Sequence, residues 1–198
     1  CWDDLIAEGL ATEKNKAAAM ALVTVTSDPA ALRGRTFVFE AVAENIGVKR
    51  TVYAAITKYA SPDAVIASCT SSINAEELAE NSPAPERMII AHPFQPAHML
   101  PLVEVVCHSR TAPSVKSRTA ELLQKLHRKV VVLNKSVPGF LVNRLANALT
   151  RESIYLIEQG VTTAEDIDTA VKYAVGMRYA SIGLLEYFDD VGFDLQKA

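Results

Sequence analysis

Two apolar runs, residues 88–91 and 102–106, are separated by a segment that carries three prolines, Pro93, Pro96 and Pro101. Each proline lacks a backbone N–H and restricts the residue before it, so no helix can run through the segment. The runs have strand length and strand composition, and turn residues bound them. Such a chain is expected to double back, laying the end of the first strand beside the second. His92 closes the first run and Glu104 sits in the middle of the second. In a hairpin the two can face each other. A carboxylate on one imidazole nitrogen fixes the tautomer, stabilises the imidazolium and leaves the other nitrogen to exchange a proton. Spacing alone does not separate this pair from a histidine at a strand end and a glutamate on an exposed edge.

Around the hairpin the pattern alternates strand, polar turn and helix. Residues 37–42 (FVFEAV) and 64–68 read as buried strands. The first leads into a helix over 45–59 with Val48, Val52, Ile56 and Tyr59 on its inner face. The second ends in Cys69, Thr70, Ser71 and Ser72, and a helix starts near Asn74 with Glu77 in a capping-box relation. Repetition of this unit predicts a parallel sheet with right-handed crossovers, in which ligands gather at the carboxyl ends of strands. Residues 41–44, residues 70–72 and His92 fall there. Upstream, a helical turn or two ends near Gly9, Thr12 caps a helix over 12–22, and residues 23–26 alternate like a short strand. Ser27, Asp28 and Pro29 can begin a short helix. Downstream, a helix over 113–127 turns Val115, Leu122, Leu123 and Leu126 inward, and a strand follows at 129–133. Ser136, Val137, Pro138 and Gly139 mark the expected domain boundary, because only helical periods follow. One spans 140–159 and is closed by Gly160; the next spans 163–175, entered at Thr163 and Asp166 and left at Gly176.

Composition narrows the partners. A hydrophobic content of 49% supports a packed core, and no apolar run reaches the roughly 18 residues of a membrane span. A net charge of −3 without a long basic run argues against nucleic acid. The three cysteines, Cys1, Cys69 and Cys107, show neither CxxC spacing nor an even count, so neither a disulfide framework nor a metal site is expected. A reducing cytoplasm fits that usage. The chain opens on Cys1, inside a helical pattern with Trp2, Leu5, Ile6 and Leu10 on one face, and is expected to be a fragment.

Five blocks and a tail then carry a resemblance: FEAVAEN (39–45), ASCTSS (67–72), HPFQP (92–96), PLVEVV (101–106), VPGFLVNRL (137–145) and, after them, EDID (165–168). In this order and spacing they resemble the 3-hydroxyacyl-CoA dehydrogenase family. The resemblance implies an α/β fold, with an incomplete Rossmann-type parallel-sheet domain over 1–136 followed by an all-helical C-terminal domain over 137–198. It implies NAD as cofactor and oxidation of a 3-hydroxyacyl-CoA to the 3-ketoacyl-CoA. His92 becomes the acid/base, Glu104 its orienting carboxylate, Ser71 a hydrogen-bond partner of the reacting oxygen, and Asn143 a group reaching across the domain cleft. Ala41, Glu44, Lys49 and Gln95 would line the cofactor. A homodimer is implied for the complete protein. Read by themselves, Ser71 could cap the following helix, Asn143 could be a solvated helix-face amide and Lys49 a solvated lysine.

The departures bear on cofactor and substrate. No G-x-G-x-x-G turn occurs in the sequence, although that turn cradles a dinucleotide pyrophosphate. It would lie upstream of Cys1, and the 198 residues by themselves are expected to bind dinucleotide poorly. Cys69 and Gln95 stand where hydroxyacyl-CoA enzymes often have Asn. Residues 177–185, MRYASIGLL, lack the Pro- and Gly-rich turn of fatty-acid enzymes and look closer to the lambda-crystallin and L-gulonate 3-dehydrogenase branch, and to carnitine dehydrogenase. An acyl-CoA is the first expectation for the substrate, and gulonate or carnitine, with the same mechanism, is the alternative. For the latter, Arg178 could meet a carboxylate or could close the preceding helix's dipole. A non-catalytic, crystallin-like structural role is the reading from another class.

Overall fold

The computed structural model describes residues 2–192. The chain divides into two compact units, Cys1–Val142 and Asn143–Ala198.

The first unit is built on a five-stranded sheet in sequence order: β1 (Phe37–Glu40), β2 (Val65–Ser68), β3 (Met88–Pro93), β4 (Leu102–Val106) and β5 (Lys129–Leu133). The strands β1, β2 and β3 are parallel, β4 runs antiparallel to β3, and β5 is parallel to β4. The proline-bearing segment therefore produces the expected hairpin, and its register sets His92 directly opposite Glu104.

Side chains alternate between the faces of a strand, so each face collects its own core. On one face Ile66, Met88, Ile90 and Val106 pack with Tyr53, Ile56, Leu78 and Phe140. On the other, Val65, Ala67, Ile89, Ala91, Val103 and Val105 pack with Val115 and Leu123. Helices α3 (Ile46–Tyr59) and α4 (Ala75–Ala79) cover the first face and α5 (Pro113–Lys125) the second. The same parity assigns Glu40, Ser68, His92 and Glu104 to the first face. Four polar residues thus end up on the side covered by α3.

Several local expectations are corrected. Residues 23–26 form no strand, since no neighbour offers them a ladder, and Val25 is 93% exposed. The 37–42 strand ends at Glu40 and is a sheet edge rather than a buried strand, with Phe39 43% exposed. In α3 the inner face is Lys49, Tyr53 and Ile56, and Val48 points outward; the helix is turned toward the polar partners that Lys49 and Tyr53 find on β1. In α5 the buried residues are Val115, Thr119 and Leu123, while Leu126 lies past the helix end and is exposed. Thr12, Asp28, Asn45 and Asn74 each accept a backbone N–H at the start of the helix that follows, Thr12 at α2 (Glu13–Met20) after the short α1 (Trp2–Ala7).

Helix α6 (Val142–Glu158) leads into the second unit and ends at Gly160, whose φ of +68° is the left-handed closure that glycine permits. It starts two residues later than its period suggests, because Phe140 has φ +48° and cannot be a helical residue. Gly176 is not a helix exit. Helix α7 (Ala164–Ala170) continues through a π turn at Val171–Val175 into α8 (Gly176–Ser181). Gly176 itself is helical, at φ −64° and ψ −46°, and a Cβ there would lie 3.0 Å from the Val171 carbonyl oxygen. Its glycine serves the close approach made by the widened turn, not a change of chain direction. Among the described residues the last helix, α9, spans Leu184–Val191. Leu145, Leu149, Ile154 and Tyr155 of α6 are exposed, as are Tyr173, Met177 and Leu185.

Cys69 and Cys107 are free thiols; Cys1 lies outside the described residues. Among the described residues no helix is long and apolar enough to cross a membrane.

Candidate active site

The hairpin register closes a pair. His92 Nδ1 lies 3.0 Å from Glu104 Oε2, with the histidine 7% exposed and the glutamate 0%. A carboxylate taken wholly out of water needs its remaining lone pairs occupied. Its other oxygen, Oε1, accepts the backbone amides of Leu141 (2.9 Å) and Val142 (2.8 Å), where α6 begins. These are donors that a helix start leaves without internal partners, and the helix dipole favours a negative charge there. Phe140, buried in the left-handed conformation just before them, sets its ring edge-on to the imidazole at 5.7 Å, and Phe94 approaches at 4.7 Å. With Nδ1 on the carboxylate and two aromatic rings holding the plane, Nε2 is the nitrogen left for proton exchange.

A second buried carboxylate lies on the same sheet face. Glu40, at the end of β1, accepts Lys49 Nζ on both oxygens (2.9 and 3.1 Å), the Tyr53 hydroxyl (2.9 Å), the Ser68 hydroxyl (2.7 Å) and the Val42 amide (2.8 Å). Lys49 is itself 1% exposed and also reaches Glu44 Oε2 at 3.3 Å. Glu44 Oε1 then gathers the turn that follows β2: the Thr70 hydroxyl, the Ser71 and Ser72 amides (3.2 Å each) and the Ser72 hydroxyl (2.9 Å). Burial resists ionisation of Glu40, yet its lysine and hydroxyl donors outweigh this and hold it below the usual carboxylate range. For Glu44 the same contest, between burial and the Thr70, Ser72 and Lys49 contacts, brings the carboxyl down to about 2. Burial pushes the Tyr53 phenol up. The thiol of Cys69, next to this turn, is also raised by burial.

These depressions have a stability consequence with a definite sign. A carboxylate that is more acidic folded than unfolded contributes fully above the unfolded value of 4.5, and that contribution is lost as pH falls toward about 2. The unfolding free energy, followed by urea titration from about pH 5 down to about pH 3, is expected to decline more steeply in the native protein than in Glu44→Gln. Parallel declines would show that Glu44 carries none of the acid sensitivity.

The structure brings His92 and Glu104 together. Ala41, Glu44 and Lys49 follow β1, Ser71 follows β2 and Gln95 follows β3, so all leave the sheet at one rim, because β1, β2 and β3 are adjacent and parallel. Ala41, Ser71 and Gln95 are exposed there. Asn143 is the first residue of the second unit, in the first turn of α6, and is half-buried. Sequence reasoning passes over Glu40, Tyr53, Ser68 and the two phenylalanines beside His92. The signal for Glu40 was present: a glutamate inside the apolar run FVFEAV is the same anomaly that marks Glu104 inside LVEVV.

A mostly parallel sheet with helices on both faces and its polar groups on one carboxyl rim defines a Rossmann-type fold, here with a buried histidine–carboxylate contact. A profile described as 3-hydroxyacyl-CoA dehydrogenase, NAD binding domain, matches residues 1–137, and one described as 3-hydroxyacyl-CoA dehydrogenase, C-terminal domain, matches residues 139–198. The chain belongs to the 3-hydroxyacyl-CoA dehydrogenase family. It is similar to an L-carnitine dehydrogenase of Pseudomonas sp, 36% identical over 98% of this chain and 59% of the relative. It is similar also to 5-formyl-3-hydroxy-2-methylpyridine 4-carboxylate 5-dehydrogenase of Mesorhizobium japonicum, 38% identical over 85% of this chain and 54% of that one. Among solved structures, (S)-3-hydroxybutyryl-CoA dehydrogenase PaaH1 from Ralstonia eutropha superposes with a TM-score of 0.81 at 28% identity, covering 88% of this chain and 62% of that chain. The chain thus spans 54–62% of the length of these relatives.

Proposed function

We propose that the protein to which this chain belongs is an NAD-dependent dehydrogenase that oxidises the 3-hydroxyl of a small hydroxy acid of the carnitine type, with His92 as its acid/base. The observation that carries the reading is the buried contact between His92 Nδ1 and Glu104 Oε2 at 3.0 Å. Oxidation of a secondary alcohol needs a base on the O–H proton while the C–H hydride departs, and an imidazole braced by a carboxylate answers that need. Nε2 takes the hydroxyl proton, the ring becomes imidazolium, and Glu104 stabilises the new charge. Ser71, exposed on the same rim, donates to the reacting oxygen and holds it toward Nε2.

The residues present fit the nicotinamide half of a dinucleotide, for the exposed Ala41, Ser71 and Gln95 share the rim at which such sheets bind their ligands. None of the chain's eight glycines forms the G-x-G-x-x-G turn, so the pyrophosphate half has no counterpart in these residues. NAD, when bound, supplies the hydride acceptor. Residues 1–136 serve as the cofactor-binding part and residues 137–198 as the helical part. The exposed apolar side chains of α6 support pairing of the helical part with a second copy in a homodimer.

The carnitine reading is supported by the similarity to relatives that bear that name. A 3-hydroxyacyl-CoA is the second reading, favoured by the likeness to the hydroxybutyryl-CoA enzyme. Initial rates of NADH formation by the intact protein on L-carnitine, L-gulonate and (S)-3-hydroxybutyryl-CoA separate them. The expected result is a kcat/KM for carnitine at least about tenfold above the other two, the scale of one good pocket contact. Preference for the thioester would move the assignment to the acyl-CoA, and no turnover of any of the three would contradict the dehydrogenase reading.

A further inference from the structure

Between Val137 and Val142 the chain turns through two consecutive left-handed residues, Gly139 at φ +76° and Phe140 at φ +48°. Glycine enters that region freely. A Cβ crowds the neighbouring carbonyl there, so a bulky residue keeps such a backbone only where its surroundings over-determine it. Phe140 is held at both ends. Its ring is 1% exposed in the core of the first sheet face, with Tyr53, Ile56, Ile90 and Val106, and it stands edge-on to His92 at 5.7 Å. Its own amide donates to the Val137 carbonyl at 3.0 Å, and the next two amides, those of Leu141 and Val142, both donate to Glu104 Oε1. One residue thus joins the two members of the pair, with its side chain against the histidine and its backbone leading into the donors of the glutamate.

We propose that Phe140 is a positioning residue for the His92–Glu104 pair, its left-handed backbone aiming two amides at the carboxylate and its ring fixing the plane of the imidazole. The inference rests on the dehydrogenase reading for the reaction, and on the contacts alone for the geometry of the pair. The last side-chain torsions of glutamate and histidine are broad, so neither group by itself keeps the angle at which Nδ1 meets Oε2. Two donors on Oε1 stop the carboxylate from turning and leave Oε2 to the histidine. The rings of Phe94 and Phe140, at 4.7 and 5.7 Å, stop the imidazole from turning. Phe94 serves the histidine, whereas Phe140 serves both groups. That double duty is the reason a backbone cost is kept at this position and not relieved by a second glycine. At 1% exposure Phe140 is closed to a ligand at the rim, so it acts wholly through its neighbours.

The test uses two variants of the intact protein, with His92→Gln as the background. Phe140→Leu keeps apolar bulk without the flat ring; Phe140→Gly frees the backbone and removes the ring. Three readouts are taken: kcat, the KM values for NAD and the best substrate, and the downfield proton resonance of the His92 Nδ1–H, assigned by its loss in His92→Gln. In both variants kcat is expected to fall roughly 10-fold or more, short of the ~10²–10⁴ that loss of a general base costs. Both KM values stay within about twofold, because the residue takes no part in ground-state binding. The Nδ1–H resonance moves upfield or broadens as its bond to the charged oxygen loosens. In the His92→Gln background the same substitutions lower kcat no further, which a general loss of structure would not produce. A kcat within about twofold of native in Phe140→Leu would overturn the proposal. A fall in kcat that leaves the resonance unmoved, or an additive fall in the His92→Gln background, would overturn it as well, since either routes the loss past the pair. If Phe140→Gly does not fold, Phe140→Leu decides the matter. If the intact native protein turns over no substrate, the dehydrogenase reading fails separately, and the resonance still judges whether Phe140 sets the pair.

Discussion

Replacing Glu104 by alanine is expected to destabilise the sheet unit by about 3–5 kcal/mol, the cost of stripping one partner from a buried, hydrogen-bonded charge pair. The size follows from what the carboxylate serves. One oxygen holds His92 Nδ1, the other accepts the Leu141 and Val142 amides, and none of these can turn to water, because Glu104 is 0% exposed. Glu104→Gln separates the two duties. Its carbonyl oxygen still accepts both amides, so most of the stability is retained. Its amide group meets Nδ1 without a negative charge, so the imidazolium formed during oxidation loses its counter-ion. Turnover is expected to fall on the order of 10²-fold or more in Glu104→Gln while unfolding changes far less than in Glu104→Ala. Urea unfolding of both variants beside initial rates checks this. An alanine variant within about 0.5 kcal/mol of the native protein, the range of an ordinary surface substitution, would show that the pair is not a supporting element.

Half of the site was legible as an anomaly of pattern. A glutamate in the centre of LVEVV has no reason to sit in an apolar strand unless something buried meets it, and three prolines upstream force the turn that brings His92 to it. The same logic applies to Glu40 in FVFEAV, but its partner lies on a helix. Hydrophobic periodicity puts Val48 on the inner face of α3 beside Val52 and Ile56, which do pack on the core, because a lysine does not register as a core residue. Only the buried carboxylate shows why Lys49 and Tyr53 face inward instead. Backbone donors leave even less trace. Nothing in the side chains of Leu141 and Val142 signals that their amides close the shell of Glu104, and the φ of +48° at Phe140 is invisible in a run that reads as the start of a helix.

His92→Gln is the second large effect. Glutamine fills a similar space and can still hydrogen-bond to Glu104 Oε2, so the hairpin and the Phe94 and Phe140 contacts should survive. What it cannot do is take a proton near neutral pH. Loss of a general base costs typically 10²–10⁴ in rate, whereas a residue that merely packs the rim would change binding instead. The variant also separates the enzymatic reading from a crystallin-like structural one, since a structural protein has no turnover for the substitution to remove.

The most direct measurement is kcat of intact His92→Gln at saturating NAD and substrate, taken with the Kd for NADH of the same preparation. The account predicts a fall of about 10²–10⁴ in kcat with NADH affinity preserved. A kcat within about twofold of the native enzyme would contradict it, because a rate so little changed assigns the proton transfer to another group.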